Sequence, residues 1–308
     1  MPILVVSDSA GAGRVAASAR GQELTFGGRT MKDFAGKIAF IVGGSSGIGL
    51  STARLLAEEG AHVLLLARER GRLERAAEIL GSARKDPGQK VSWMQLDVSD
   101  REKVNAVLAR AVEDFGVPDL LVNCAGRAYP RYFEEISYEQ FDETMRTNFF
   151  GVWHTTSALV PYMKEKGGCI VNVSSMGGLI GVFGYTDYSA SKFAIVGFSE
   201  ALRSELKRYG IHVCVLCPPD TDTPAFPIEN RTKPEETKAL SKTAKLMTPD
   251  DVAAALLKGI RQGRFLILAN LESRLVWLAR RLFPSLLDSA MDREIRRVQR
   301  KKGSGKPT

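Results

Sequence analysis

No stretch of this chain approaches the ~18 or more consecutive apolar residues that a membrane-spanning helix requires. The leading PILVV is likewise too short for the apolar core of a secretory signal. Cysteine is scarce, with four in 308 residues (Cys124, Cys169, Cys214, Cys217), each inside an apolar, strand-like run. That excludes a disulfide framework and points to a reducing compartment. Cys214 and Cys217 form a CxxC within IHVCVLC, but residues three apart on a strand face opposite sides, so neither a redox pair nor a metal site is expected. Internal repeats are absent. Charge of one sign is unevenly spread: residues 271–308 hold ten Lys/Arg against four acids, most of the net +8. This basic tail could meet anionic lipid or simply be solvated. It has no interleaved aromatic platform, so nucleic acid is not expected as a partner.

What is present is an ordinary globular composition. With 44% hydrophobic and 25% charged residues, the chain can bury a full core in one domain of about 250 residues plus tails. Residues 1–30, rich in Gly, Ala, Ser and Arg without periodicity, read as a disordered extension, with Met31 as an alternative start. From Lys37 onward seven apolar runs recur: IAFIVG, HVLLLA, VSWMQL, DLLVN, CIVNVS, IHVCVLC and FLILA. Segments with helical spacing, such as RLERAAEILGSARK, lie between them. Strands alternating with helices of this length mean an α/β fold, a doubly wound (Rossmann) parallel sheet of about seven strands. The reading is one domain over residues 31–270 followed by an amphipathic basic helix and tail at 271–308.

The first strand runs into GGSSGIG, where Gly43, Ser45, Ser46, Gly47, Ile48 and Gly49 open an amphipathic helix. Glycines allow a sharp turn and close backbone approach to a pyrophosphate, and the helix N-terminus offers N–H groups and a positive dipole end. The spacing is G-x-x-x-G-x-G. After the second strand an acid would select NAD; here Arg68 takes that place, with Arg70 and Arg72 beyond. A guanidinium fork matches a ribose 2′-phosphate, so the cofactor is predicted to be NADPH/NADP+. Asp97 and Val98 in LDV are placed toward the adenine, and NCAG brings Asn123, Ala125 and Gly126 to the end of the fourth strand.

Downstream, Tyr188 and Lys192 stand four apart on one helix face, and Ser175 lies thirteen residues before the tyrosine. An ammonium beside a phenol stabilises the phenolate, and a serine hydroxyl can polarise a carbonyl. GGSSGIG, NCAG, Ser175 and YSASK in this order resemble the short-chain dehydrogenase/reductase family across roughly Lys37 to Asp251. The resemblance implies that Tyr188 is the acid/base. It makes Lys192 the group that lowers the phenol's pKa and holds the nicotinamide ribose, Ser175 the carbonyl-orienting group, and Asn148 the anchor of a proton-relay water. Ser174 is the alternative to Ser175, since only one of two adjacent residues on a strand turns inward. Two departures stand out: Val42 where the family often has threonine, and Pro219 where it often has glycine.

The loop PPDTDTPAFPIENRTKPEET carries five prolines, which exclude one continuous helix. With FGYTDYSASKFAI it is similar to one subgroup, the 3-ketodihydrosphingosine (3-dehydrosphinganine) reductases. That likeness implies a long-chain amino-ketone lipid substrate, with Pro218, Thr221 and Thr223 on the cofactor. Asp220 or Asp222 is expected to face the substrate ammonium and Phe226 its alkyl chain; the acids could instead cap turns. Membership further implies a homodimer or homotetramer, in the cytoplasm or peripheral on a membrane (the cytosolic face of the endoplasmic reticulum in a eukaryote). The alternatives are a reductase of another hydrophobic carbonyl, such as a retinoid, steroid or acyl thioester, and a non-catalytic NADP-binding regulator.

Overall fold

The computed structural model describes residues 31–242 and 246–303; the reading of residues 1–30 as disordered lies outside these. Strands and helices alternate as β1 (Ile38–Val42), α1 (Gly47–Glu58), β2 (His62–Ala67), α2 (Arg70–Ala83), β3 (Val91–Gln95), α3 (Arg101–Phe115) and β4 (Leu120–Asn123). Then come α4 (Tyr138–Met145), α5 (Gly151–Lys166), β5 (Gly168–Val173), α6 (Thr186–Leu206) and β6 (Ile211–Cys217). The chain continues through α7 (Phe226–Thr232), α8 (Glu235–Ser241), α9 (Pro249–Arg261), β7 (Leu266–Leu268), α10 (Leu271–Leu282) and α11 (Pro284–Gly303). All seven apolar runs became strands.

The strands are parallel in the order β3-β2-β1-β4-β5-β6-β7. Alternation divides each strand between two cores. Ile41, Leu65, Val122 and Val171 pack against α1, α2 and α9, while Phe40, Leu64, Leu121 and Ile170 pack against α3 and α5. Both faces are covered, which is why the buried VLLL of β2 is apolar throughout; each fully buried leucine contributes roughly 1.5–3 kcal/mol. Cys214 and Cys217 fall on opposite faces, in separate clusters. The chain winds outward in both directions from β1 and β4, so the crevice at the carboxyl ends of these two strands is the switch point where such sheets take ligands.

Two segments differ in detail from their sequence reading. The proline-rich loop is two short helices, α7 and α8, with Pro234 at the cap of the second. The expected single helix after residue 270 is two, α10 and α11. Pro284 removes a donor and forces Phe283 out of helical geometry (φ −135°, ψ 58°).

Candidate active site

A cleft of about 400 Å³ opens over the carboxyl ends of the strands. At one end Gly43, with φ 82°, makes the turn out of β1. A Cβ there would lie 2.6 Å from the Ala125 nitrogen at the end of β4, so only glycine lets the two strand ends approach. Gly49 lies outside the lining: it lets α1 pack onto this turn, because a Cβ there would strike the Gly43 carbonyl. Ser46 caps α1 without a side-chain hydrogen bond, and the first turn carries no acid. The helix N–H groups and the positive dipole end thus face the cleft beside Ser45, Gly47 and Ile48, an arrangement that fits a pyrophosphate. Thr223, from the loop after β6, packs against Gly47 and closes this end with Pro218.

The arginines after β2 separate by partner. Arg70 pairs with Glu74 at 2.8 Å and lies over the Trp93 ring, away from the cleft. Arg72 pairs with Glu69 at 2.9 Å, and both line the cleft. Arg68 lines it with no ion-pair partner among the described residues. Glu69 is therefore occupied by one guanidinium and the other is free, which fits a 2′-phosphate and not a bare ribose diol.

Val98, Ala125 and Gly126 reach the cleft as expected; Asp97, Asn123 and Thr221 do not. The Asp97 carboxylate accepts from the Ser99 nitrogen at 3.0 Å and hydroxyl at 2.7 Å, closing a turn. Asn123 is buried, donating to Asn172 at 2.9 Å and accepting from Thr155 at 2.7 Å, which ties β4 to β5 and α5. The Thr221 hydroxyl donates to the Pro219 carbonyl at 2.8 Å.

At the chemical end, α6 is anchored at its first turn by buried Asp187. This carboxylate accepts from Thr144 at 2.9 Å and Gln140 at 3.1 Å on α4, and from the Tyr188 nitrogen at 2.7 Å. The next residue, Tyr188, thereby faces the cleft with Lys192 one turn on. The Lys192 ammonium is buried, donates to the Val173 carbonyl at 2.9 Å and lies 5.6 Å from the centre of the Tyr188 ring. Ser174 spends its hydroxyl on the Lys192 carbonyl at 2.8 Å. The Ser175 oxygen accepts from the Gly177 nitrogen at 3.0 Å and lies beside the Tyr188 ring across Gly177, where it favours the phenolate. Of the two serines, Ser175 is the one directed at the phenol.

Burial pushes the Tyr188 phenol above its ordinary value, countered by the Ser175 hydrogen bond, and the Glu229 and Asp220 carboxylates add to the rise. Burial also brings Lys192 down to about 8. The Lys192 ammonium donates to a main-chain carbonyl, and burial is the largest cause of the Tyr188 shift. Tyr188 is accordingly a neutral acid at physiological pH.

Asn148 sits in a π-type turn, Arg146–Phe150, between α4 and α5. Its side chain brackets Arg127, accepting from the nitrogen at 2.8 Å and donating to the carbonyl at 3.0 Å, and donates to Ser191 at 3.0 Å. Single π-turns of this sort are frequent at functional sites. A Cβ on Gly126 would lie 3.4 Å from both the Asn148 Oδ1 and the Lys192 ammonium, so the two groups flank the same point of the cleft floor.

Among the residues that escaped sequence reading are Arg127 and Glu229, which line the cleft, and Tyr185 beside them. Arg127, directly after NCAG, lines the cleft, pairs with Glu143 and lies over the Tyr129 ring at 4.4 Å. Glu229 lines it from α7, and Tyr185 hydrogen-bonds Glu229 while its ring meets that of Tyr188 at 5.5 Å. The only sequence signal for Glu229 was its place in the same acidic loop as the expected ligands. Asp220 is instead drawn to Lys233 at 3.7 Å, Asp222 is exposed, and neither lines the cleft. Phe226 lies under the Lys233 ammonium at 4.6 Å.

Residues 37–234 match the family model described as short chain dehydrogenase. The chain is 43% identical to the 3-dehydrosphinganine reductase of Danio rerio over 227 residues, 73% of this chain and 68% of that protein. It is 40% identical over 255 residues to the 3-ketodihydrosphingosine reductase of Dictyostelium discoideum, 78% of this chain and 76% of that one. Among solved structures, a short chain dehydrogenase/reductase from Burkholderia phymatum in complex with NAD superposes with TM-score 0.72 at 27% identity, covering 82% of this chain and 96% of its own. Actinorhodin polyketide ketoreductase with NADPH gives TM-score 0.68 at 32% identity, covering 76% and 95%.

Proposed function

The chain belongs to the short chain dehydrogenase family, and from that membership and the chemistry of its cleft we propose that it is an NADPH-dependent reductase converting the 3-keto group of 3-ketosphinganine to the hydroxyl of sphinganine. The observation that carries the reading is the meeting, in one cleft, of an unpaired Arg68 with Tyr188 and Lys192, in a chain 40–43% identical to reductases of that name. When bound, reduced nicotinamide supplies the hydride.

The chain's own groups handle the oxygen and the proton. Ser175 donates a hydrogen bond to the ketone oxygen and polarises it. Tyr188, a neutral phenol, gives its proton to that oxygen as the alkoxide develops. The phenolate left behind is stabilised by Ser175 and by the nearby Lys192 ammonium. Asn148 and Lys192, flanking Gly126, lie on the route by which the phenol regains a proton. Arg68, with the Glu69-paired Arg72 beside it, would hold the 2′-phosphate, and the amino end of α1 would hold the pyrophosphate.

A lipid substrate also accounts for the surface of the C-terminal helices. Leu271, Leu275, Leu278 and Leu282 form an exposed apolar stripe on α10, continued by Phe283 and Leu286 and flanked by Arg274 and Arg281. This stripe rests on a membrane interface from which substrate enters; among the described residues no helix is long and apolar enough to cross a membrane. Exposed Phe141, Phe150, Trp153 and Tyr162 on α4, the π-turn and α5 support pairing into a homodimer or homotetramer.

Incubation of the purified chain with NADPH and 3-ketosphinganine, followed by mass spectrometry, should yield sphinganine. Recovery of unchanged ketone overturns the proposal, and turnover of a retinoid, steroid or acyl thioester in its place would redirect it.

A further inference from the structure

Between α6 and the two short helices after β6 lies a group of charges, gathered around one buried ammonium, that none of the chemistry above uses. The Lys233 ammonium, 2% exposed, stands 3.2 Å from the Glu229 Oε1 and 3.7 Å from the Asp220 Oδ2. The Tyr185 hydroxyl also donates to the Glu229 Oε1. Both described partners of Glu229 thus converge on a single oxygen, and Oε2 has none among the described residues. Glu229 lines the cleft, and its charge is close enough to Tyr188 to disfavour the phenolate. Asp220, Glu229 and Lys233 together carry one negative charge more than positive. Of the other cations that line the cleft, Arg127 is engaged by Glu143 and Lys192 by the Val173 carbonyl. A partly desolvated site with a surplus carboxylate oxygen beside the proton donor favours a cation on the substrate, next to the carbon being reduced.

We infer that Glu229 is the residue that reads the substrate's α-ammonium group, with Tyr185 and Lys233 fixing its carboxylate so that Oε2 faces the reacting carbon. This rests on the amino-ketone reading above and replaces the two aspartates as ammonium ligands. Asp220 instead helps hold Lys233, and Asp222 faces solvent. Lys233 is a positioning residue: its ammonium lies over the rings of Phe226 at 4.6 Å and Tyr185 at 6.0 Å and joins α7 to α6.

The test compares 3-ketosphinganine with the same ketone lacking the amino group, in the full-length chain and in Glu229→Gln and Glu229→Asp variants. Glu229→Gln keeps an acceptor for Tyr185 and removes the charge. It should lower the ratio of kcat/KM for the amino ketone over the des-amino ketone by about tenfold or more, mostly through KM, the size of one lost charge-assisted hydrogen bond. Glu229→Asp should fall between. An unchanged ratio in folded Glu229→Gln overturns the inference and leaves the functional reading standing. Reduction of neither ketone by the unmodified chain overturns both. A second measurement needs no variant: dodecylamine should inhibit turnover of the des-amino ketone at about tenfold lower concentration than dodecanol. Equal inhibition by the two would also overturn it.

Discussion

The Ser174 hydroxyl donates to the main-chain carbonyl of Lys192 at 2.8 Å, joining the end of β5 to the middle of α6. Lys192 returns the contact through its ammonium, which donates to the Val173 carbonyl at 2.9 Å. This double link sets the distance between the serine that follows and the tyrosine one turn earlier. The two adjacent serines should therefore behave differently. Ser175→Ala should lower kcat by about 10²–10³, as for loss of one donor to a developing oxyanion. Ser174→Ala should cost about 1 kcal/mol of stability and leave most of the rate. Parallel steady-state kinetics and urea titrations would distinguish them, and equal kinetic losses would mean that Ser174 shares the carbonyl.

Tyr188→Phe removes the proposed proton donor on α6. Turnover should fall about 10²–10⁴ while NADPH binding, followed by its fluorescence, changes little. A variant that kept its full rate would place the proton donor elsewhere.

Arg68 bears on cofactor choice. Arg68→Ala should raise the KM for NADPH about 10- to 100-fold and leave the KM for NADH nearly unchanged, because a fork on the 2′-phosphate has nothing to bind in NADH. Equal effects on both cofactors would show that Arg68 acts on a part they share.

The buried Lys192 makes stability and activity run in opposite directions with pH. Its pKa is lowered from 10.5 to about 8 by burial, so between these values the unfolded chain holds a proton that the folded chain has released. Stability should rise with pH across that window, since the cost of burying the charge is present below pH 8 and relieved above it. Reduction, which uses the ammonium, should decline above pH 8. The wild type minus Lys192→Met difference in urea midpoints between pH 7 and 10 would measure the first effect, and the alkaline limb of kcat/KM the second. A difference that does not change with pH would show that Lys192 titrates normally.

The apolar stripe of α10 gives a further test. Leu275→Glu combined with Leu282→Glu should reduce co-sedimentation with anionic vesicles by about tenfold or more. Turnover of a short-chain ketone in free solution should remain. Undiminished pelleting would assign the stripe to another contact.

Much of this was legible in the sequence because the relevant residues obey local rules. The strand runs are apolar because both sheet faces are covered, and GGSSGIG announces its turn through the backbone freedom it needs. Tyr188 and Lys192 are read together because helical spacing puts them on one face. What escaped depends on contacts distant in sequence. Asp97 looked like a ligand, yet Ser99 lies two residues on and takes its carboxylate. Asn123 ends a strand beside the cleft, yet its amide is engaged by residues 32 and 49 positions away. Asp220 and Glu229 were both plain acids in one loop; in the fold both share Lys233, and only Glu229 lines the cleft. The break at Pro284 was written in the sequence, but the helical periodicity around it masked it.

The stretch joining β6 to α9 bears the proposed reader of the substrate's cation, whereas the hydrogen-transfer groups hang from β5 and α6 and the nucleotide cradle mainly from β1, β2 and β4, closed at its end by Pro218 and Thr223. Selectivity and reactivity are therefore carried by separate lengths of chain. A relative that exchanged only this stretch would acquire a new appetite for ketones without relearning how to reduce them, provided Tyr185, just before α6, still found a carboxylate to grasp.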